Sequence, residues 1–222
     1  MQRAVATSQT LPRPRLWAEF AVLFAAAPLA RVLFCGLYSL FAALFAVAIL
    51  SLVLLARTPG FVPGELVRGP VLGQWPLILG FTLGSAAVAV TLALTLVPER
   101  AFDLPRHQTG LWLRIMLLYP LLSALPQELI FRALFYRRYG PLFPDGRVAL
   151  AVYAAGFSCA HLFYQNPVAI GLTLLGGVVF AWTYQRTGSF LLVVILHAIG
   201  GQIVFTSGLG IYFYHGAIGH AP

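Results

Sequence analysis

Residues 126–138 read PQELIFRALFYRR. Glu128 and Arg132 stand four apart, which puts them on one face of a helix, with the acid N-terminal to the base, the favourable order for such a pair. The residues between and around them are greasy, and composition says how greasy the whole chain is. Hydrophobic residues make up 60% and charged residues only 9%, against roughly 45–50% and about 25% in soluble domains. Apolar runs of 18 or more residues with almost no charge recur along the 222 residues, the signature of membrane-crossing helices. The expected fold is an all-α, polytopic membrane helix bundle of about seven (six to eight) transmembrane helices.

Seven apolar segments mark the spans: about 17–34, 36–56, 73–97, 111–136, 148–164, 168–185 and 189–213. The first two are read as a hairpin turning between Pro28 and Gly36. A single helix of that length would measure roughly 60 Å, twice the hydrocarbon thickness. Short connections rich in Pro and Gly (TPGFVPGE, VPERAFDLPR, YGPLFPDGR, YQNP, RTGS) separate the later segments. There is no internal repeat. The organisation is thus a cytoplasmic tail at 1–16, one integral-membrane domain at 17–214 and a C-terminal tail at 215–222.

The net charge of +8 comes from fourteen basic residues, all arginine. If sides alternate, Arg3, Arg13, Arg15, Arg57, Arg68, Arg137, Arg138, Arg147 and Arg186 share one face of the membrane, with Arg31, Arg100 and Arg106 opposite. That bias predicts a cytoplasmic N-terminus, and it accounts for the charge without nucleic acid as a partner; the partner is the lipid bilayer. Exclusive use of arginine fits a bacterial source, hence a cytoplasmic (inner) membrane. The start, MQRAVATSQTLPRPR, lacks the apolar core and cleavage site of a signal peptide. Cys35 and Cys159 lie in apolar segments and are expected to be free.

Ionisable groups inside the spans are Glu19, Arg114, Glu128, Arg132, His161 and His197. Glu19 and Arg114 fall near span ends, where snorkelling to the interface suffices. The others lie deeper. At 1.5 Å rise per residue, Glu128 is about 14 Å in from Arg137, His161 about 20 Å from Arg147 and His197 about 12 Å from Ser189. Three helices therefore bring a carboxylate and two imidazoles toward one level, where polar groups must face each other or a wet cavity. A single ion pair or a single histidine is adequately explained as structural; the four together mark a functional site. Phe157, one turn before His161, reads as a pocket wall or as core packing. Gly171, Gly176, Gly177, Gly200 and Gly201 allow close helix approach. The aromatic end GLGIYFYHG reads as an interfacial belt, with His215 a bystander.

These residues resemble the motifs of the CPBP intramembrane proteases, the CAAX-protease and bacteriocin-processing or abortive-infection family. QELIFR at 127–132 is similar to Glu-Glu-x-x-x-Arg, FSCAH at 157–161 matches Phe-x-x-x-His, and HAIGG at 197–201 matches the histidine of His-x-x-x-Asn. The resemblance covers about 111–214, the protease-like core. It implies glutamate-dependent hydrolysis of a peptide bond in a membrane-associated protein or peptide, with no cofactor. In two places the chain departs from the pattern. Gln127 occupies the first glutamate, the family's usual base, and Gly201 occupies the asparagine, with Gln202 the nearest amide.

On this reading Glu128 activates water with help from His161, Arg132 fixes the Glu128 rotamer, and His197 with Gln202 stabilises the oxyanion. Two alternatives stay open. One is a non-proteolytic immunity or scaffold protein, suggested by the missing glutamate. The other is a zinc-dependent protease with Glu128, His161 and His197 as ligands, although no HExxH spacing supports it.

Overall fold

The computed structural model describes residues 11–34 and 40–213. Cys35, the turn expected before Leu40 and His215 lie outside the described residues. Among those described, helices follow one another with no strand. We number the main ones α1 (residues 13–34), α2 (Leu40–Ala56), α3 (Trp75–Leu96), α4 (Thr109–Leu142), α5 (Gly146–Cys159), α6 (Pro167–Thr187) and α7 (Phe190–Ser207). Five stretches are long and apolar enough to cross a membrane: Leu72–Leu96, Thr109–Leu142, Gly146–Tyr164, Pro167–Thr187 and Phe190–Ser207. Leu40–Ala56 is a shorter apolar helix. The protein is an all-α polytopic bundle, and side chains such as Leu83, Leu117 and Leu121 lie exposed on its outside, as a lipid solvent permits.

Local chemistry sets most boundaries. Asp145 caps α5 by accepting from the backbone N–H of Arg147 at 2.7 Å. Asn166 caps α6 through Ala169 N–H, with Pro167 in the first turn, and its amide NH₂ donates to the Tyr212 carbonyl. Ser189 caps α7. The α1 helix runs through Pro28 without a break and reaches Phe34, so the bend is not at that proline.

Glu19 is not a snorkelling acid. Arg138 of α4 grips it with two nitrogens, at 2.7 and 3.0 Å, and Arg15 meets it from one turn away at 2.9 Å. Arg138 also reaches Leu54 O on α2 and Thr58 just past its end. One guanidinium thus ties three helices together.

The α4 helix carries the site and is irregular. It extends about 50 Å for its 34 residues and widens into π-helical turns at Pro120–Ala124 and Leu129–Tyr139. Wide turns of this kind frequently accompany functional sites. Pro120 has no N–H, so the Met116 carbonyl lacks its usual helical donor. In lipid such an orphan must be satisfied, and Gln202 of α7 does so, its Nε2 donating to Met116 O at 2.7 Å.

Further along the same seam Trp112 donates to Thr206 at 2.9 Å. The α5 and α6 helices are the most closely associated pair. A Cβ on Gly177 would lie 3.0 Å from Ala154 Cα, so glycine permits that approach. Ser158 then donates across the pair to Ile170 O at 2.9 Å.

Candidate active site

Glu128 and Arg132 are both completely buried. Arg132 Nε lies 2.8 Å from Glu128 Oε2, an ion pair by distance, though its N–H is not aimed for a good hydrogen bond. A second nitrogen is 3.5 Å from Oε1. The guanidinium lies over the Tyr153 ring, 3.5 Å from its centre, with Phe180 at 5.9 Å. A desolvated cation–π contact of this kind is worth on the order of 2 kcal/mol. An aromatic box therefore holds the arginine, and the arginine holds the acid.

His197 completes the cluster. Its Nδ1 lies 2.7 Å from Glu128 Oε1, and beside Arg132 that group acts as a carboxylate, which only accepts. His197 therefore carries a proton on Nδ1, and its Nε2 faces the other way. Phe180 stacks on the imidazole at 5.1 Å and Phe157 meets it edge-on at 5.5 Å, fixing the ring plane. Tyr119 Oη is 3.3 Å from Nε2. When the imidazole is neutral, with its one proton on Nδ1, the phenol is the donor of this contact.

His161 sits just past the end of α5, before the Leu162–Tyr164 turn. Its Nδ1 donates to Phe157 O at 2.7 Å, since a carbonyl can only accept. That bond fixes a proton on His161 Nδ1.

A cavity of about 1230 Å³ opens among these residues, and all seven helices contribute to its walls. Most of the lining is apolar. Its polar lining includes Arg114, Tyr119, Ser123, Gln127, His161 and His197, with Phe157 in ring contact with both histidines. Glu128 is not part of the lining; it stands behind His197, with its oxygens facing Arg132 and that imidazole. The expectation that the carboxylate meets water directly gives way to a layered arrangement of cavity, imidazole, carboxylate and guanidinium.

Two other expectations change. Gln202 does not face the cavity, because its amide is spent on the Met116 carbonyl. Gly201 accommodates no helix backbone. A Cβ there would run into the ring and hydroxyl of Tyr119, so the space is occupied by a side chain from α4.

Gln127 does line the cavity. Its Nε2 donates to Ser123 at 2.9 Å while its Oε1 is buried without a partner. Cys159 is free. Among the described residues no three His, Cys, Asp or Glu side chains group as a metal site. Sequence reasoning missed Tyr119, Tyr153 and Phe180. Aromatic residues inside apolar segments carry no local mark that separates a site residue from packing.

A membrane bundle with buried carboxylate and imidazoles beside an internal cavity is the setting of an intramembrane hydrolase, and comparison with known families names the class. Residues 109–200 match the family model described as type II CAAX prenyl endopeptidase Rce1-like. The match runs from the first residue of α4 to Gly200 and contains Tyr119, Glu128, Arg132, His161 and His197. Over that stretch the chain is similar to the CAAX-type intramembrane endopeptidases, a protease family. No curated protein and no solved structure matches it.

Proposed function

We propose that the protein cleaves a peptide bond of a membrane-associated protein or peptide, with His197 as the water-activating base and Glu128 as its buried counter-ion. The observation that carries this reading is the 2.7 Å contact between His197 Nδ1 and Glu128, with the opposite nitrogen on the cavity side. Gln127, a neutral amide, takes up no proton at any working pH, so the base must be a carboxylate or an imidazole. Glu128 is sealed from the cavity, whereas His197 lines it.

In the reaction, water gives a proton to His197 Nε2 as its oxygen adds to the scissile carbonyl. The imidazolium is stabilised by Glu128, whose position is set by Arg132 and, through it, by Tyr153. Collapse of the tetrahedral intermediate breaks the C–N bond, and the proton on Nε2 passes to the departing amine. His161, with its Nε2 on the same wall, is the second imidazole available for proton transfer. The apolar bulk of the cavity suits a lipid-modified or strongly apolar substrate segment. No metal is needed in this scheme.

The N-terminus is cytoplasmic on the arginine distribution, in a bacterial inner membrane. The test compares the termini of membrane proteins in cells carrying wild-type protein, His197→Ala or Glu128→Gln. A new terminus seen with wild type and lost with both variants supports the pair as the catalytic unit. Its persistence with His197→Ala refutes it.

A further inference from the structure

Tyr119 comes from the part of α4 before its first π-helical turn, yet its hydroxyl reaches the reactive nitrogen of His197. Three observations make this more than packing. The ring lies directly over Gly201, and the single hydrogen of that residue is what leaves room for it. The next residue is Pro120, and the carbonyl that it leaves free is held by Gln202, the neighbour of Gly201. The same stretch of α7 thus pins α4 at Met116 and yields to Tyr119 one residue earlier. Finally, the hydroxyl lies 3.3 Å from His197 Nε2, and both side chains line the cavity.

We propose that Tyr119 is the oxyanion donor of the site, its hydroxyl switching from His197 Nε2 to the substrate oxygen in the step that forms the tetrahedral intermediate. This rests on the endopeptidase reading above. Before reaction, Nε2 is an acceptor and Tyr119 Oη–H donates to it. When the water O–H bond breaks, its proton goes to Nε2 and that acceptor disappears. In the same step the new C–O bond forms, the carbonyl π pair moves to oxygen, and a fresh acceptor appears beside the phenol. The hydroxyl turns to it as a hydrogen-bond donor, with no proton lost from the tyrosine. The donor is released when negative charge develops, which is when it stabilises the transition state more than the ground state.

The experiment uses full-length protein in liposomes with an internally quenched peptide carrying a farnesyl-cysteine, comparing wild type, His197→Ala and Tyr119→Phe. Phenylalanine keeps the ring over Gly201 and removes only the hydroxyl. Loss of one oxyanion donor predicts a fall in kcat of about 10²–10³-fold, with KM within twofold and the thermal midpoint unchanged.

A second measurement is independent of substrate. Histidine ¹⁵N spectra should show the His197 Nε2 resonance moving, in Tyr119→Phe, to that of a nitrogen without a donor. Tyr119→Phe at wild-type kcat, with His197→Ala inactive, overturns the role of the tyrosine and leaves the base assignment standing. An unchanged Nε2 resonance also overturns it. Full activity in His197→Ala, or no cleavage of the probe by wild type, removes the reading on which the proposal rests.

Discussion

Replacing Glu128 with Gln separates the two duties of the buried carboxylate, charge balance and proton relay. The side chain keeps its shape, so no cavity opens. What changes is that Arg132, fully buried, loses its anion at 2.8 Å and retains only the faces of Tyr153 and Phe180. Removing one partner of a buried ion pair costs roughly 3–5 kcal/mol. For a chain of this size that lowers the thermal midpoint by about 10 °C.

The chemical effect is separate. His197 Nδ1 now faces a neutral amide, whose NH₂ can force the proton to the other nitrogen, and the imidazolium loses its counter-ion. The comparable change in the serine-protease triad lowers kcat about 10⁴-fold, and a loss of at least 10³-fold is expected here. A companion variant, Glu128→Gln with Arg132→Met, removes both charges. It should recover most of the lost stability, because an apolar pair of similar volume replaces a buried ion pair at little cost, while remaining inactive.

Thermal unfolding followed by tryptophan fluorescence in detergent, and cleavage of the lipidated peptide in liposomes, read the two effects independently. Wild-type turnover by Glu128→Gln refutes the relay. A double variant as unstable as the single one refutes the ion-pair account of Arg132.

Other outcomes follow from the same geometry. Gln202→Ala leaves the Met116 carbonyl unsatisfied and should cost about 1–3 kcal/mol in stability with kcat within twofold; loss of kcat at an unchanged midpoint would return Gln202 to the oxyanion site. Gly177→Val pushes α6 off Ala154, where even a Cβ sits at 3.0 Å. Overpacking of that kind costs on the order of 1–3 kcal/mol, measurable as a lower midpoint, and an unchanged one contradicts the close approach. Dialysis against a chelator should leave the cleavage rate unchanged, whereas a loss reversed by added zinc would argue for a ligand set that forms only with substrate.

The spans, the short connections between them and most of the polar side chains gathered around the cavity were legible in the chain because their causes are local. Apolar runs of membrane length, Pro- and Gly-rich connections and an acid–base pair at i and i+4 can all be read without knowing what packs on what. Glu19 shows where this stops: a carboxylate near a span end reads as snorkelling, and only the arrival of Arg138, 119 residues away, makes it a clamp. Direction was hidden as well. Position along a helix gave similar depth for Glu128, His161 and His197, but depth does not say which group faces the cavity and which stands behind.

That order depends on α4 widening around Pro120 and on α7 crossing it, with Tyr119 filling the space over Gly201 and Gln202 turned to the backbone instead. Taken alone, the sequence determined that this is a membrane bundle with a carboxylate, a guanidinium and two imidazoles near one level, since burying charge in lipid is too costly to occur without partners. The packing decided that the imidazole meets the cavity and the carboxylate meets the imidazole. Contacts between residues 69 or 78 positions apart are set by how helices cross, and no local spacing encodes that.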